Sequence, residues 1–190
     1  MKIKKSLRIV GKTLAFRNAG VEDAEFIYGL RIDEDKSRHL SKVSGEIESQ
    51  RKWLLGYQER TDEAYFIIVS LDDEPLGTVR LYGAEDDRFC WGSWILKDGA
   101  PANAAIESAL MVYDYALNHL GFHSAYFQVH KANLSVCKFH ERFGAVRVDE
   151  DEVQYHYTLS QEAIISSMNR YKRFLNDGVV VKRSTNDSIS

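Results

Sequence analysis

The apolar positions of this chain repeat with two periods, and the switches between them mark the elements. Leu14 and Phe16 alternate with Ala15 and Arg17, which predicts a first strand over 12–18. Val21-Glu22-Asp23-Ala24 opens a helix with acidic residues in its first turn, where the helix dipole favours them. Phe26, Ile27 and Leu30 form its apolar stripe, and 31–45 is polar and irregular. A second helix runs from Ile47 to Tyr57, with Trp53, Leu54 and Tyr57 on one face. Three strands follow, over 64–71, 76–82 and 88–96. The turns Asp72-Asp73-Glu74-Pro75 and Ala84-Glu85-Asp86-Asp87 are too short for crossovers, so these strands form an antiparallel meander.

A loop over 97–103 leads to the longest helix, 104–120. There Ile106, Ala109, Leu110, Tyr113, Ala116, Leu117 and Leu120 recur at helical spacing and Gly121 stands at the stop position. A strand over 124–129, a short helix over 135–142, strands over 145–148 and 154–159, and a helix over 161–175 capped by Ser160 complete the order. The crossover through 104–120 is long enough for parallel pairing. The expected fold is an α/β (α+β) domain with a mixed, mostly antiparallel sheet and helices on both faces. One domain is expected over 1–175, with 176–190 a flexible tail, because its end (Lys-Arg-Ser-Thr-Asn-Asp-Ser-Ile-Ser) is polar and lacks aromatics.

With 190 residues, 44% of them hydrophobic, the chain can bury a core without disulfides or metal. A formal net charge of -3 supplies no basic field for nucleic acid. Cys90 and Cys137 stand far apart with no Cys/His cluster, so no metal site is expected, and free thiols suit a reducing, cytoplasmic setting. No apolar run has the length of a membrane span. His119, His123, His130 and His156 have no metal-like spacing.

The chemistry concentrates in Lys131-Ala-Asn133-Leu-Ser135-Val-Cys-Lys-Phe139-His140-Glu-Arg-Phe143-Gly144-Ala. Asn133 and Ser135 lie where a helix begins, so backbone amides there are available to an anion or a cap. Phe139 and Phe143, four apart, share a face. This stretch resembles the last motif of the GNAT acyltransferases through Asn133, Phe139, Glu141, Arg142 and Gly144, and the order of elements from Leu14 to Leu159 is similar to that family's. Gly92-Ser93-Trp94-Ile95 resembles the family's strand before its cofactor loop.

The resemblance implies two parallel strands splayed apart, with the pantetheine arm of acetyl-CoA in the gap. The backbone of Trp94, Ile95 and Leu96 would pair with that arm, as an added strand would. The pyrophosphate would lie against Lys97, Gly99, Asn103, Ala104 and Ala105, at a helix start that favours anions. Asn133, Ser135 and Phe139 complete the implied cofactor contacts.

Three departures from the family pattern matter. The loop has alanines where the family has glycines, and Pro101 donates no N–H; alanine is still small enough to admit a phosphate. Where the family places Tyr, this chain has His140. Two roles stay open for it: a histidinium that protonates the departing thiolate, or a side chain that packs against or hydrogen-bonds the cofactor. Where many members carry a Glu base, this chain has Cys90, with no histidine adjacent in sequence to activate it. Water, Asp33, Glu34 or Glu107 would then receive the amine proton.

The family places acceptor contacts on the first two helices and their connection, where Arg31, Asp33, Arg38 and His39 cluster. Arg31 and Arg38 suit a phosphate or carboxylate. Trp91 and Trp94 suit stacking on a sugar or acyl group, and strict alternation sends them to opposite faces. The resemblance thus implies direct transfer of an acetyl group to a primary amine. The opening segments are similar to GNATs acting on nucleotide-linked amino sugars and equally to ribosomal-protein N-terminal acetyltransferases; the amino sugar is the preferred acceptor. A CoA-binding or interaction domain without turnover is the alternative class. The surface around Val153 to Leu159 and the apolar Ile164, Ile165, Met168, Tyr171 and Phe174 would serve either a homodimer or packing on the same chain.

Overall fold

The computed structural model describes residues 1–32, 46–175 and 177–182. Among the described residues nine strands form one sheet: β1 (Arg8–Val10), β2 (Leu14–Asn18), β3 (Ala64–Ser70), β4 (Pro75–Glu85), β5 (Arg88–Leu96), β6 (Ser124–His130), β7 (Val146–Glu150), β8 (Gln154–Leu159) and β9 (Val180–Lys182). Their order is β7-β8-β6-β5-β4-β3-β2-β1-β9. Pairing is antiparallel throughout except between β5 and β6. The helices are α1 (Ala24–Ile32), α2 (Ile47–Glu59), α3 (Ala104–Asp114), α4 (Leu134–Arg142) and α5 (Gln161–Arg170).

Alternation along β3 sorts the two faces. Tyr65, Ile67 and Val69 join Ala24 and Ile27 of α1 and Leu54 and Tyr57 of α2 in one buried cluster. Ala64, Phe66 and Ile68 point the other way, into the larger core built with α3, α4 and α5. Helices therefore cover both faces, as the period switch predicts.

Three expectations change. The helix expected over 104–120 ends as α-helix at Asp114 and continues as one π-type stretch, Tyr115–His119. The helix expected over 161–175 stops at Arg170 and is followed by a 3-10 turn, Lys172–Phe174. The segment expected as tail contains β9, paired with β1 at Arg8↔Lys182. Its anchor is a buried carboxyl on α3: Asp114 accepts the Val179 N–H at 2.8 Å and the Asn118 amide at 2.8 Å. Three residues carry too little pattern to read as a strand, and the partner that holds them lies 65 positions away. The apolar residues of α5 resolve as well: Ile164 is buried, and Met168, Tyr171 and Phe174 pack on the core of their own chain. Ile165 of the same helix stays exposed.

Candidate active site

The parallel pairing of β5 with β6 covers only Arg88↔Ser124, Phe89↔Ala125 and Cys90↔Tyr126. Beyond Cys90 the strands part, and β5 keeps its bonds to β4 alone. The opening is a cleft lined by Trp91 to Trp94 of β5, Phe127 to His130 of β6, and Asn133, Val136 and His140.

A bulge shapes the β5 wall. Thr78 pairs with Ile95 and Arg80 with Gly92, so Ser93 and Trp94 together face Val79 alone. Ser93 sits at φ 48, and its carbonyl accepts the Thr78 hydroxyl at 2.7 Å. The extra residue corrects the expectation from alternation. Trp91 and Trp94 lie on the same side, their rings 5.3 Å apart. Trp91 is buried in the α3-side core, so it walls the cleft and offers no surface on which a sugar could stack. Trp94 donates its indole N–H to Ser108 of α3 at 3.1 Å.

His140 of α4 closes the cleft floor. Its ring lies 4.2 Å from Phe127, 5.3 Å from Trp91 and 5.6 Å from Phe139. Nδ1 is buried without a hydrogen-bond partner. Burial among aromatic rings holds the imidazole well below its ordinary value, down to about 3. At neutral pH the side chain is neutral, which corrects the histidinium reading: its charge is disfavoured where the cleft is driest.

Asn133 caps α4, its Oδ1 accepting the Val136 N–H at 3.3 Å and the Ser135 hydroxyl at 3.1 Å. Phe139 stacks between Trp94 (5.0 Å) and Phe143 (4.8 Å). At the α3 end the expected cofactor residues are partly spent on the fold. Lys97 pairs with Glu74 at 2.5 Å. Asn103 donates to Thr13 at 2.9 Å and to Glu107 at 3.0 Å, and the Ala104 N–H donates to the Pro101 carbonyl at 2.8 Å. Gly99 turns the loop at φ 75, and Ala105 and Ile106 present the next helix-start amides.

The other base candidates fall away from the cleft. Glu107 is fully buried and accepts from Thr13 and Leu14, so it is structural. Cys90 is buried, its thiol pushed up by that burial. Arg31 lies in the last turn of α1 beside Tyr65, on the opposite face of the sheet from Trp91. Asp33, Glu34, Arg38 and His39 lie outside the described residues. Sequence reasoning missed Phe127, Gln128, Val129, His130 and Val136 as lining residues, and the splay that collects them has no local pattern. Among the described residues, no group of three or more His, Cys, Asp or Glu could hold a metal ion, and no helix is long and apolar enough to cross a membrane.

Residues 13–146 match the acetyltransferase (GNAT) domain model. The chain belongs to the GNAT acetyltransferase family. Apo FdhC, described as a nucleotide-linked sugar GNAT, is 38% identical over 91% of this chain and 99% of its own, with a TM-score of 0.79. Two more distant GNAT structures share the fold. A GCN5-related N-acetyltransferase from Brucella melitensis has 13% identity, TM-score 0.76, and 91% and 86% coverage. The Vibrio cholerae spermidine N-acetyltransferase, solved with CoA and spermine, has 14% identity, TM-score 0.71, and 80% and 98% coverage. No curated protein matches the chain. The GNAT assignment agrees with the mixed sheet and its single parallel pair.

Proposed function

We infer that this GNAT protein transfers an acetyl group from acetyl-CoA to the amino group of a nucleotide-linked sugar. The observation that carries the acyl-transfer half is the splay: β6 pairs with β5 only as far as Cys90, and Trp91 to Trp94 of β5 line the gap beyond it. An extended arm fits such an edge because it supplies the missing strand. The orphaned Nδ1 of His140 and the start of α4 at Asn133 are the polar groups that fit it from below. Ala105 and Ile106 at the start of α3 suit the pyrophosphate. The thioester supplies an activated acyl carbon, which the acceptor amine attacks directly.

His140 enters this scheme as a neutral hydrogen-bonding group, with the apolar rings of Trp91, Trp94 and Phe127 around it in the cleft. The titratable side chains among the described residues of its lining are His130 and His140. The amino-sugar half is supported by 38% identity to a nucleotide-linked sugar GNAT over nearly the whole chain.

A second reading, a non-catalytic interaction domain with weakened CoA binding, is favoured by the donors spent at the start of α3. The deciding experiment is calorimetric titration with acetyl-CoA, then thiol release with a panel of nucleotide-linked amino sugars, spermidine and peptides. Saturable binding, with thiol release for the amino sugars, is expected. Asn133→Ala is expected to weaken acetyl-CoA binding about tenfold, and to cost about 1 kcal/mol of stability through the lost cap. A folded protein that binds no acetyl-CoA overturns the enzyme reading.

A further inference from the structure

Basic side chains gather on the outer surface of the layer formed by α3, α4 and α5. Lys138 and Arg142 stand one turn apart on α4, and Arg170 ends α5. Lys172 and Arg173 follow on the 3-10 turn, and Lys12 stands between β1 and β2. All six are exposed. Backbone carbonyls join them into one strip: Arg170 donates to that of Arg142 at 3.2 Å, and Lys12 to that of Arg173 at 2.7 Å. Tyr171 stacks on Phe143 at 5.1 Å, which seats the 3-10 turn beside α4.

The strip keeps its charge. Arg17, Arg60, Arg80 and Arg147 sit against carboxylates elsewhere in the fold, whereas none of the six has an ion pair among the described residues. Nearby carboxylates are committed or set apart. Glu141 accepts from Tyr157 and pairs with Arg147, and Glu107 and Asp114 are buried acceptors for backbone N–H groups. Glu162 lies in the first turn of α5, and Asp177 on the approach to β9. Charges more than about 8 Å apart are largely screened at physiological salt. The strip is therefore a local positive field on a chain of formal net charge -3.

This field borders the cleft at two places. α4 turns Val136 and His140 to the cleft and Lys138 and Arg142 to solvent. Lys12 precedes Thr13, whose hydroxyl accepts from the Asn103 amide at the start of α3. Four separate segments contribute cations, a breadth that one phosphate group does not need. The start of α3, by contrast, has few free donors: Lys97, Asn103 and the Ala104 N–H are engaged, and Pro101 has none. CoA brings a pyrophosphate to such a helix start. A pantetheine arm carried on a protein brings a single phosphodiester, with the rest of the negative charge spread over the body behind it.

We propose that the strip docks an acidic carrier domain whose phosphopantetheine arm delivers the acyl group into the cleft. This docking rests on the acyl-transfer reading above and adds a protein-borne donor to it. The acceptor nitrogen bonds to the thioester carbonyl carbon, the C–S bond breaks, and the proton lost by the amine ends on the thiol that leaves with the carrier. Complementary charge steers and orients the carrier, while the arm supplies the extended segment that the gap takes.

The test titrates the full chain calorimetrically with an acetylated acyl carrier protein, with acetyl-pantetheine and with acetyl-CoA. The carrier is expected to bind about tenfold tighter than acetyl-pantetheine, the uncharged arm alone, and to lose that advantage as salt is raised to about 0.5 M. Lys138→Glu combined with Lys172→Glu is expected to weaken carrier binding about tenfold and to leave that of acetyl-pantetheine within about twofold. Carrier binding no tighter than that of acetyl-pantetheine, or unmoved by the double charge reversal, overturns the docking and leaves the acyl-CoA reading standing. A reversal that weakens acetyl-CoA as much as the carrier assigns the strip to the nucleotide end of CoA and overturns the docking too. A protein that binds neither acetyl-CoA nor acetyl-pantetheine overturns the acyl-transfer reading and the docking together.

Discussion

Glu107→Ala is expected to lower the stability of the fold by about 3 kcal/mol, a fall of about 10 °C in melting temperature for a domain of this size. The side chain has no solvent exposure and ties the start of α3 to the start of β2. Oε1 accepts the Thr13 N–H at 2.6 Å and the Leu14 N–H at 3.0 Å. Oε2 accepts the Thr13 hydroxyl at 2.5 Å and the Asn103 amide at 3.0 Å. Alanine would strand the buried Leu14 N–H and leave a void beside Gly11 and Met111. Neither loss is repaid in the folded state, whereas the unfolded chain solvates the same groups with water. Glu107→Gln keeps one acceptor oxygen and is expected to lose about half as much. Chemical denaturation of both variants is the measurement. A loss below about 1 kcal/mol for Glu107→Ala would mean that water takes over the carboxyl's bonds.

Acidification from pH 7 to pH 5 is expected to cost about 2 kcal/mol through His140 alone. In the folded protein burial holds this imidazole down to about 3; in the unfolded chain it titrates near its ordinary 6.5. Below about pH 6.5 the unfolded state therefore binds a proton that the folded state refuses, and stability falls as pH drops toward 3. Above about pH 7 both states are neutral there, and this contribution to the pH dependence vanishes. His140→Phe keeps an aromatic ring among Phe127, Trp91 and Phe139 and removes the titration. Urea midpoints at pH 5 and pH 7 should differ by about 2 kcal/mol less in the variant than in the wild type. Equal pH sensitivity in both proteins would show that the folded state admits a proton at His140, and would return the histidinium to consideration.

These two residues show where local sequence stops being informative. Glu107 stands in the first turn of a helix, which is where a solvated acidic residue is also expected, and its partners on β2's approach, Thr13 and Leu14, lie more than ninety positions away. His140 was legible as a departure from a family motif. Its protonation was not, because three of the rings that dry it come from β5, β6 and α4. Trp91 and Trp94 make the same point about geometry: alternation separates them, and one bulged residue reunites them.

By itself, the sequence determined the order of the elements from β2 to α5, and missed the three-residue strands β1 and β9. Hydrophobic period, turn residues and helix caps act over a few positions, and they survive in any context. It determined the family too, because the stretch from Asn133 to Gly144 is a contiguous helix start, face and stop. Only the tertiary structure decided how far β5 and β6 stay paired, that Gly92 and Gln128 line one cleft, and that β9 returns to β1. Those are questions of register and of contacts between distant segments, set by packing and by buried acceptors such as Asp114 and Glu107. A one-dimensional pattern carries no record of them.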